Sequence, residues 1–216
     1  MRPKHLAIAL SRLAPHPCQQ VGLEQYPTEG DLAAYWMLAV DELDDMTSKV
    51  VMDLGAGNGI LGVACLMLGA EHVHFVECDE AALEVLKANL STLDGSLSTR
   101  ATVHTTHLGA ETVPVEHVDI VVMNPPWGVQ QAKADRPFLL EAFTKATQAV
   151  HLLHSDRAVH LEGVGQSHGW DAEAVLRTEF RLPAMYAHHA QRTGKTGVQC
   201  WRFFRPGDRQ LPVEED

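Results

Sequence analysis

Apolar positions along this chain recur at two spacings, one helical and one strand-like. Residues 4–14 place Leu6, Ala9, Leu10 and Leu13 on one helical face, and Pro15 and Pro17 end that pattern. Residues 18–30 read as loop, and a second helix is predicted over 29–43 with Leu32, Tyr35, Trp36, Ala39 and Leu43 inward. Lys49–Leu54 is a near-continuous apolar run, predicted as a strand. It leads directly into Gly55-Ala56-Gly57-Asn58-Gly59 and a helix over 60–68 closed by Gly69. A strand over 72–76, a helix over 79–92 and strands over 101–106 and 118–123 follow. Downstream the pattern predicts a helix over 137–153 begun by Pro137, a strand over 157–162 and a helix near 170–179. An antiparallel pair near 181–190 and 196–205 closes the series.

Strand–helix alternation with strands apolar on both faces implies an α/β fold, an open and mostly parallel sheet with helices on each side. One domain is expected over 1–205, its first 45 or so residues a helical extension, with a flexible polar tail over 206–216. With 216 residues, 45% hydrophobic and 21% charged, the chain is a globular rather than a disordered or fibrous one. No stretch approaches the ~20 apolar residues of a membrane span. The apolar run after Met1-Arg2-Pro3-Lys4-His5 is broken at Ser11-Arg12, against a secretory signal. Cys18, Cys65, Cys78 and Cys200 are scattered without a C-x-x-C pair, so a cytoplasmic chain without disulfides or a zinc site is expected. The net charge of −11 opposes unaided nucleic-acid binding.

Two motifs carry chemistry. Glycines between a first strand and a helix let backbone N–H groups approach a ligand. Glu77 ends the second strand, 22 positions after Gly55, where a carboxylate can accept from both hydroxyls of a ribose. A dinucleotide fingerprint would carry its third glycine one place later, where Ile60 stands. Asp53 beside the turn repels phosphate and suits a cationic ligand, which favours S-adenosylmethionine over a nicotinamide dinucleotide.

Asp119–Met123 leads into Asn124-Pro125-Pro126-Trp127-Gly128. The end of a fourth strand lies at the topological switch of a doubly wound sheet. Two prolines fix the backbone, so the Asn124 side chain and the Pro125 carbonyl present two rigid oxygen acceptors. A planar –NH2 group that donates to both becomes a better nucleophile. Trp127 offers a stacking face for a base, a contact worth about 1–3 kcal/mol in nucleic-acid sites. The pair of motifs points to methyl transfer onto a planar nitrogen.

With these residues in place the chain resembles the Rossmann-like adenine-N6 RNA methyltransferases, most closely the methyltransferase-like protein 5 family, over about residues 5–205. The resembling segments are Leu23-Glu24-Gln25-Tyr26-Pro27-Thr28, Asp53–Gly59, Asn124–Gly128 and Leu182-Pro183-Ala184-Met185-Tyr186. The resemblance implies a Rossmann-like class I methyltransferase fold with a mostly parallel seven-stranded sheet. It implies catalysis by Asn124, Pro125, Pro126 and Trp127. S-adenosyl-L-methionine would be held by Gln25, Thr28, Asp53, Gly55, Gly57, Asn58, Gly59, Glu77, Cys78, His107 and Asn124. In this family an aspartate near the end of the third strand usually reads the cofactor adenine. Here the segment is Thr105-Thr106-His107, so His107 or Thr106 stands in its place, and Trp127 stands where relatives commonly have Phe. The implied substrate is RNA, small-subunit ribosomal RNA above all. The implied partner is a small zinc-binding activator subunit added at a sheet edge.

Local positive charge for RNA is available from Arg2, Lys4, His5 and Arg12, and from Arg192, Lys195, Arg202 and Arg205, which read equally as ordinary solvated charge. The 13 histidines read as surface residues: His188-His189 would point to opposite faces of a strand, and nothing completes a site at His72 and His74, so no metal is expected. Two other functions fit the motifs: a protein glutamine-N5 methyltransferase, and a cofactor-binding scaffold without catalysis.

Overall fold

The computed structural model describes residues 1–18, 27–128, 131–181 and 195–207, with the backbone alone for 179–181 and 195–196. Its first half contains α1 (Pro3–Leu10), α2 (Gly30–Asp44), β1 (Val50–Leu54), α3 (Ile60–Leu68), β2 (His72–Glu77), α4 (Glu80–Ser91), α5 (Gly95–Ser98) and β3 (Ala101–Thr105). Its second half contains β4 (Val118–Met123), α6 (Arg136–Lys145), β5 (Ala146–Ser155), α7 (Leu161–Ser167), β6 (Asp171–Arg181) and β7 (Lys195–Phe204).

The seven strands form one sheet in the order β3-β2-β1-β4-β5-β7-β6. The first five in that order pair in parallel, and β7 runs antiparallel to both β5 and β6. The chain goes outward from β1 to β3 and then returns to place β4 on the other side of β1. That reversal opens a crevice at the carboxyl ends of β1 and β4, the usual ligand position in open α/β sheets.

Burial explains the central elements. β1 and β4 are apolar and covered on both faces, as strands under two helical layers must be. α3 is buried from Ile60 to Leu66, between the sheet and α2. Gly62 permits this closeness, because a Cβ there would collide with the Phe75 ring on β2. The close-packing glycine of the motif is therefore Gly62.

Five predicted elements differ. The inward face of α1 is Leu6, Ala7 and Leu10, and the helix stops at Leu10, where the Ser11 hydroxyl donates to the Ala7 carbonyl at 2.8 Å. On α2 the face is rotated: Ala33, Ala34, Trp36, Met37 and Val40 are inward, and Tyr35 is 61% exposed. The helix expected over 137–153 ends at Lys145 and the chain continues as β5, which pairs with β4 and β7. Residues 161–167 are helical in place of the strand expected over 157–162, and 171–181 form β6 in place of a helix. β7 then lies antiparallel between β5 and β6.

Arg202 is also not a solvated or RNA-facing charge. Its guanidinium is buried and donates to Asp44 Oδ1 and Oδ2 at 2.7 and 2.8 Å and to Glu173 Oε1 at 2.8 Å. Arg205 lies over the Trp170 ring at 4.0 Å. Arg192 lies outside the described residues, as do Leu182–Tyr186, His188-His189 and the tail from 208.

Candidate active site

Three strand ends build one cavity of about 260 Å³. β1 delivers Gly55, Ala56, Gly57 and Asn58, β2 delivers Glu77 and Cys78, and β4 delivers Asn124 and Pro126. Thr28 lines it from the segment before α2, and Thr106 and His107 from the segment after β3. Gln25 lies outside the described residues.

Glu77 organises the floor. Its Oε2 accepts from the Gly57 N–H at 2.8 Å, and its Oε1 accepts from the Cys78 and Asp79 N–H groups at 2.8 and 2.9 Å. Gly55 and Gly57 have φ values of 69° and 55°, a region that side chains rarely adopt. A Cβ on Gly57 would sit 2.6 Å from the His16 ring, and one on Gly55 would sit 2.9 Å from Phe138. The bare backbone is thus a cradle closed above by two rings. Cys78 lines the cavity as a thiol: burial, then the charges of Glu77 and Asp79, push its pKa up to about 11.

The elbow after β4 faces this cavity through Asn124 and Pro126. Asn124 Nδ2 donates to Thr28 Oγ1 at 3.1 Å, which orients the amide and leaves Oδ1 as its acceptor end. Pro125 is buried and Trp127 half-buried, and neither lines the cavity. The Trp127 ring stacks on His154 of β5, with centroids 6.1 Å apart and planes at 27°.

Asp53 and Gly59 also do not line the cavity. Asp53 is 1% exposed, and its Oδ2 accepts from the Gly62 N–H at 2.8 Å. It fastens the start of α3 to β1 from behind the cavity wall. Gly59, with φ 85°, caps α3.

Among the lining residues that sequence reasoning missed are His16, Lys133, Pro137 and Phe138. His16 Nδ1 accepts from the Cys18 N–H at 2.9 Å, so the neutral ring carries its proton on Nε2. Burial lowers the His16 pKa against the opposing pull of Glu77 and Asp79. The segment bearing His16 is pinned by Asn89 of α4, which is 2% exposed. Asn89 Oδ1 accepts from the Ala14 N–H at 2.7 Å, and its Nδ2 donates to the carbonyls of Ala14 and Asn58 at 3.1 and 2.9 Å. An Asn in mid-helix was the available signal, but its partner lies 75 positions away.

The comparisons with known proteins bear on the family and the fold. The family model for the methyltransferase small domain matches residues 31–188. The zebrafish rRNA N(6)-adenosine-methyltransferase METTL5 is 28% identical over 94% of this chain and 99% of its own. The Drosophila melanogaster protein of the same name is 30% identical over 84% of this chain and 86% of its own. The solved structure of PH1948 from Pyrococcus horikoshii superposes with a TM-score of 0.83 at 36% identity, covering 95% of this chain and 98% of that one. A Thermus thermophilus 16S rRNA methyltransferase solved with S-adenosylmethionine and guanosine shares the fold alone, with a TM-score of 0.60 at 17% identity. The chain belongs to the methyltransferase small domain family and, within it, to the METTL5 group.

Proposed function

We propose that this chain transfers a methyl group from S-adenosylmethionine to the exocyclic N6 of an adenosine in RNA, small-subunit ribosomal RNA being the preferred substrate. The observation that carries the reading is that Asn124 and Pro126 of the elbow line the same cavity as Gly57 and Glu77. The bare backbone of Gly55 and Gly57 and the Glu77 carboxylate fit a nucleoside with a ribose diol and no phosphate. S-adenosylmethionine supplies an electrophilic methyl group there. Glu77 holds the ribose, Thr106 and His107 lie where the adenine edge would be read, and Thr28 completes the floor beside Asn124.

Asn124 Oδ1 and the Pro125 carbonyl accept the two protons of the incoming amine. Its lone pair would then be drawn out of conjugation toward the methyl carbon; as the N–C bond forms the sulfonium S–CH3 bond would break to leave a neutral thioether, and the surplus amine proton would pass to water. No strong base is needed, because holding two reactants in near-attack geometry supplies up to about 7–11 kcal/mol. His154 backs one face of Trp127, and the adenine is assigned to the cavity that Asn124 and Pro126 line. An adenosine in a duplex must first be unstacked to reach it.

A small zinc-binding activator subunit is the proposed partner, and the two sheet edges, β3 and β6, are where a strand could be added. No helix among the described residues is long and apolar enough to cross a membrane. On this reading the enzyme works in the cytoplasm.

The test is incubation with labelled S-adenosylmethionine and total RNA, with and without the activator, followed by nucleoside mass spectrometry. N6-methyladenosine that disappears with Asn124→Ala is expected. Methylated glutamine in a protein fraction, or RNA product unchanged by that substitution, overturns the assignment.

A further inference from the structure

Outside the cavity, three side chains from three separate elements converge beside the elbow. Asp135 precedes α6, His154 lies on β5 and His160 precedes α7. One oxygen, Asp135 Oδ2, lies 2.7 Å from His160 Nε2 and 3.5 Å from His154 Nε2. A ligand atom from each of the three falls within 4.8 Å of the other two. Asp135 and His154 are buried, at 4% and 2% exposure, whereas the His160 side chain is 48% exposed.

His154 is the telling member. It is buried on a central strand, yet neither ring nitrogen has a hydrogen-bond partner among the described residues. A buried polar atom left so has a cost, and an ion is one of the few things that removes it. The 3.5 Å from His154 Nε2 to the carboxylate is too long for a hydrogen bond. It is close to the ~3.3 Å edge of a tetrahedron with metal–nitrogen and metal–oxygen bonds near 2.0–2.2 Å.

We propose that Asp135, His154 and His160 bind a tetrahedral divalent metal of the zinc class, with water in the fourth position on the exposed side of His160. Two imidazoles and one carboxylate suit zinc or cobalt better than calcium or magnesium, which prefer all-oxygen shells. Loading exchanges the Asp135–His160 hydrogen bond for two metal bonds, and the neutral His160 ring takes its Nδ1–H tautomer so that the Nε2 lone pair meets the metal. Because His154 stacks on Trp127, a bound metal fixes the ring behind the elbow. The three ligands lie between positions 135 and 160 on different elements, so neither of the histidine pairs weighed in the sequence led to them.

The proposal rests on three side chains rather than on the transfer reaction, and it is read on the metal itself. Full-length chain without a histidine tag, stripped by chelation, is titrated with Co²⁺ alone. One ion per chain, with the visible absorption of four-coordinate cobalt, is expected. His160→Ala alters an exposed side chain and should weaken binding at least about 100-fold and abolish the band, more than outer-shell changes do. Asp135→Asn should act the same way. His104→Ala, in the separate cluster where His74 Nδ1 and His104 Nε2 lie 3.1 Å apart, should change nothing. The proposal is overturned if wild type shows no such band, if His160→Ala binds as wild type does, or if the band is lost with His104→Ala.

Discussion

The Gly57 N–H donates to Glu77 Oε2 at 2.8 Å, joining the glycine turn after β1 to the last residue of β2. With the Cys78 and Asp79 N–H groups on Oε1, the carboxylate satisfies three backbone donors and shapes the cradle in which it is itself a ligand. A carboxamide has one acceptor end, so Glu77→Gln turns an –NH2 group toward one of these donors. Charge-assisted hydrogen bonds contribute about 1.5–3 kcal/mol each. Glu77→Gln is expected to lower stability by about 2–4 kcal/mol and to weaken S-adenosylmethionine binding more than tenfold, read by denaturant titration and calorimetry.

Thr28 and Asn124 give a finer test, since their contact orients the proposed amine clamp without touching β1 or β2. Thr28→Val keeps the shape and removes the acceptor of Asn124 Nδ2 at 3.1 Å. One lost neutral hydrogen bond is worth about 1 kcal/mol, and 1.36 kcal/mol is about tenfold in rate. The turnover of RNA methylation should fall about five- to tenfold while cofactor affinity changes less than about threefold. Thr28→Ser should restore most of the rate.

Three central elements were legible because each carries its own signal. β1, α3 and β4 have apolar runs of the right length, and Gly69, with φ 111°, stops α3 as the sequence indicates. The error at β5 has a physical cause. Ala149, Val150, Leu152 and Leu153 satisfy helical spacing as well as a doubly buried strand, and only pairing with β4 and β7 decides between them. β6 carries Ala172, Glu173, Ala174, Leu176 and Glu179, good helix formers overridden by the sheet. In the site, Glu77 and Asn124 were legible because strand ends precede them. His16 and Asn89 were not, because His16 packs against the distant Gly57 turn and Asn89 holds Ala14 across 75 positions.

Asp44 closes α2 onto the sheet. Burial opposes its ionisation, but hydrogen bonds from His151 and Arg202 outweigh that and hold its pKa well below the ordinary carboxylate range. Removing one partner of a buried pair leaves the other charge uncompensated, at about 3–5 kcal/mol. Asp44→Ala should lose that much in urea titration at pH 7, and Arg202→Met a comparable amount. Because the folded pKa lies below the unfolded one, this stabilisation is complete above about pH 5 and fades as the pH falls below about 4. The difference between Asp44→Ala and wild type should shrink in that acid range.

Asp53 reverses that sign. Burial, joined by the nearby charge of Glu77 and opposed by the Gly62 N–H bond, pushes its pKa up to about 7 from an ordinary 3.8. One oxygen holds Gly62 at 2.8 Å, and Oδ1 has no partner among the described residues. A carboxyl whose folded pKa is raised contributes stability that is complete below about pH 4 and lost as the pH rises through about 7. Asp53→Asn keeps an acceptor for Gly62 and removes the titration. Relative to wild type, the variant should be within about 0.5 kcal/mol at pH 5 and more stable by about 1 kcal/mol or more at pH 8. Buried His151, and His74 with its pKa lowered to about 4 by burial and by the neighbouring His72 and His104, also titrate. They do so in both proteins, so the difference between the two unfolding free energies isolates Asp53. A difference that stays flat from pH 5 to pH 8 would mean that Asp53 is ionised throughout, and that the start of α3 is held by a charge.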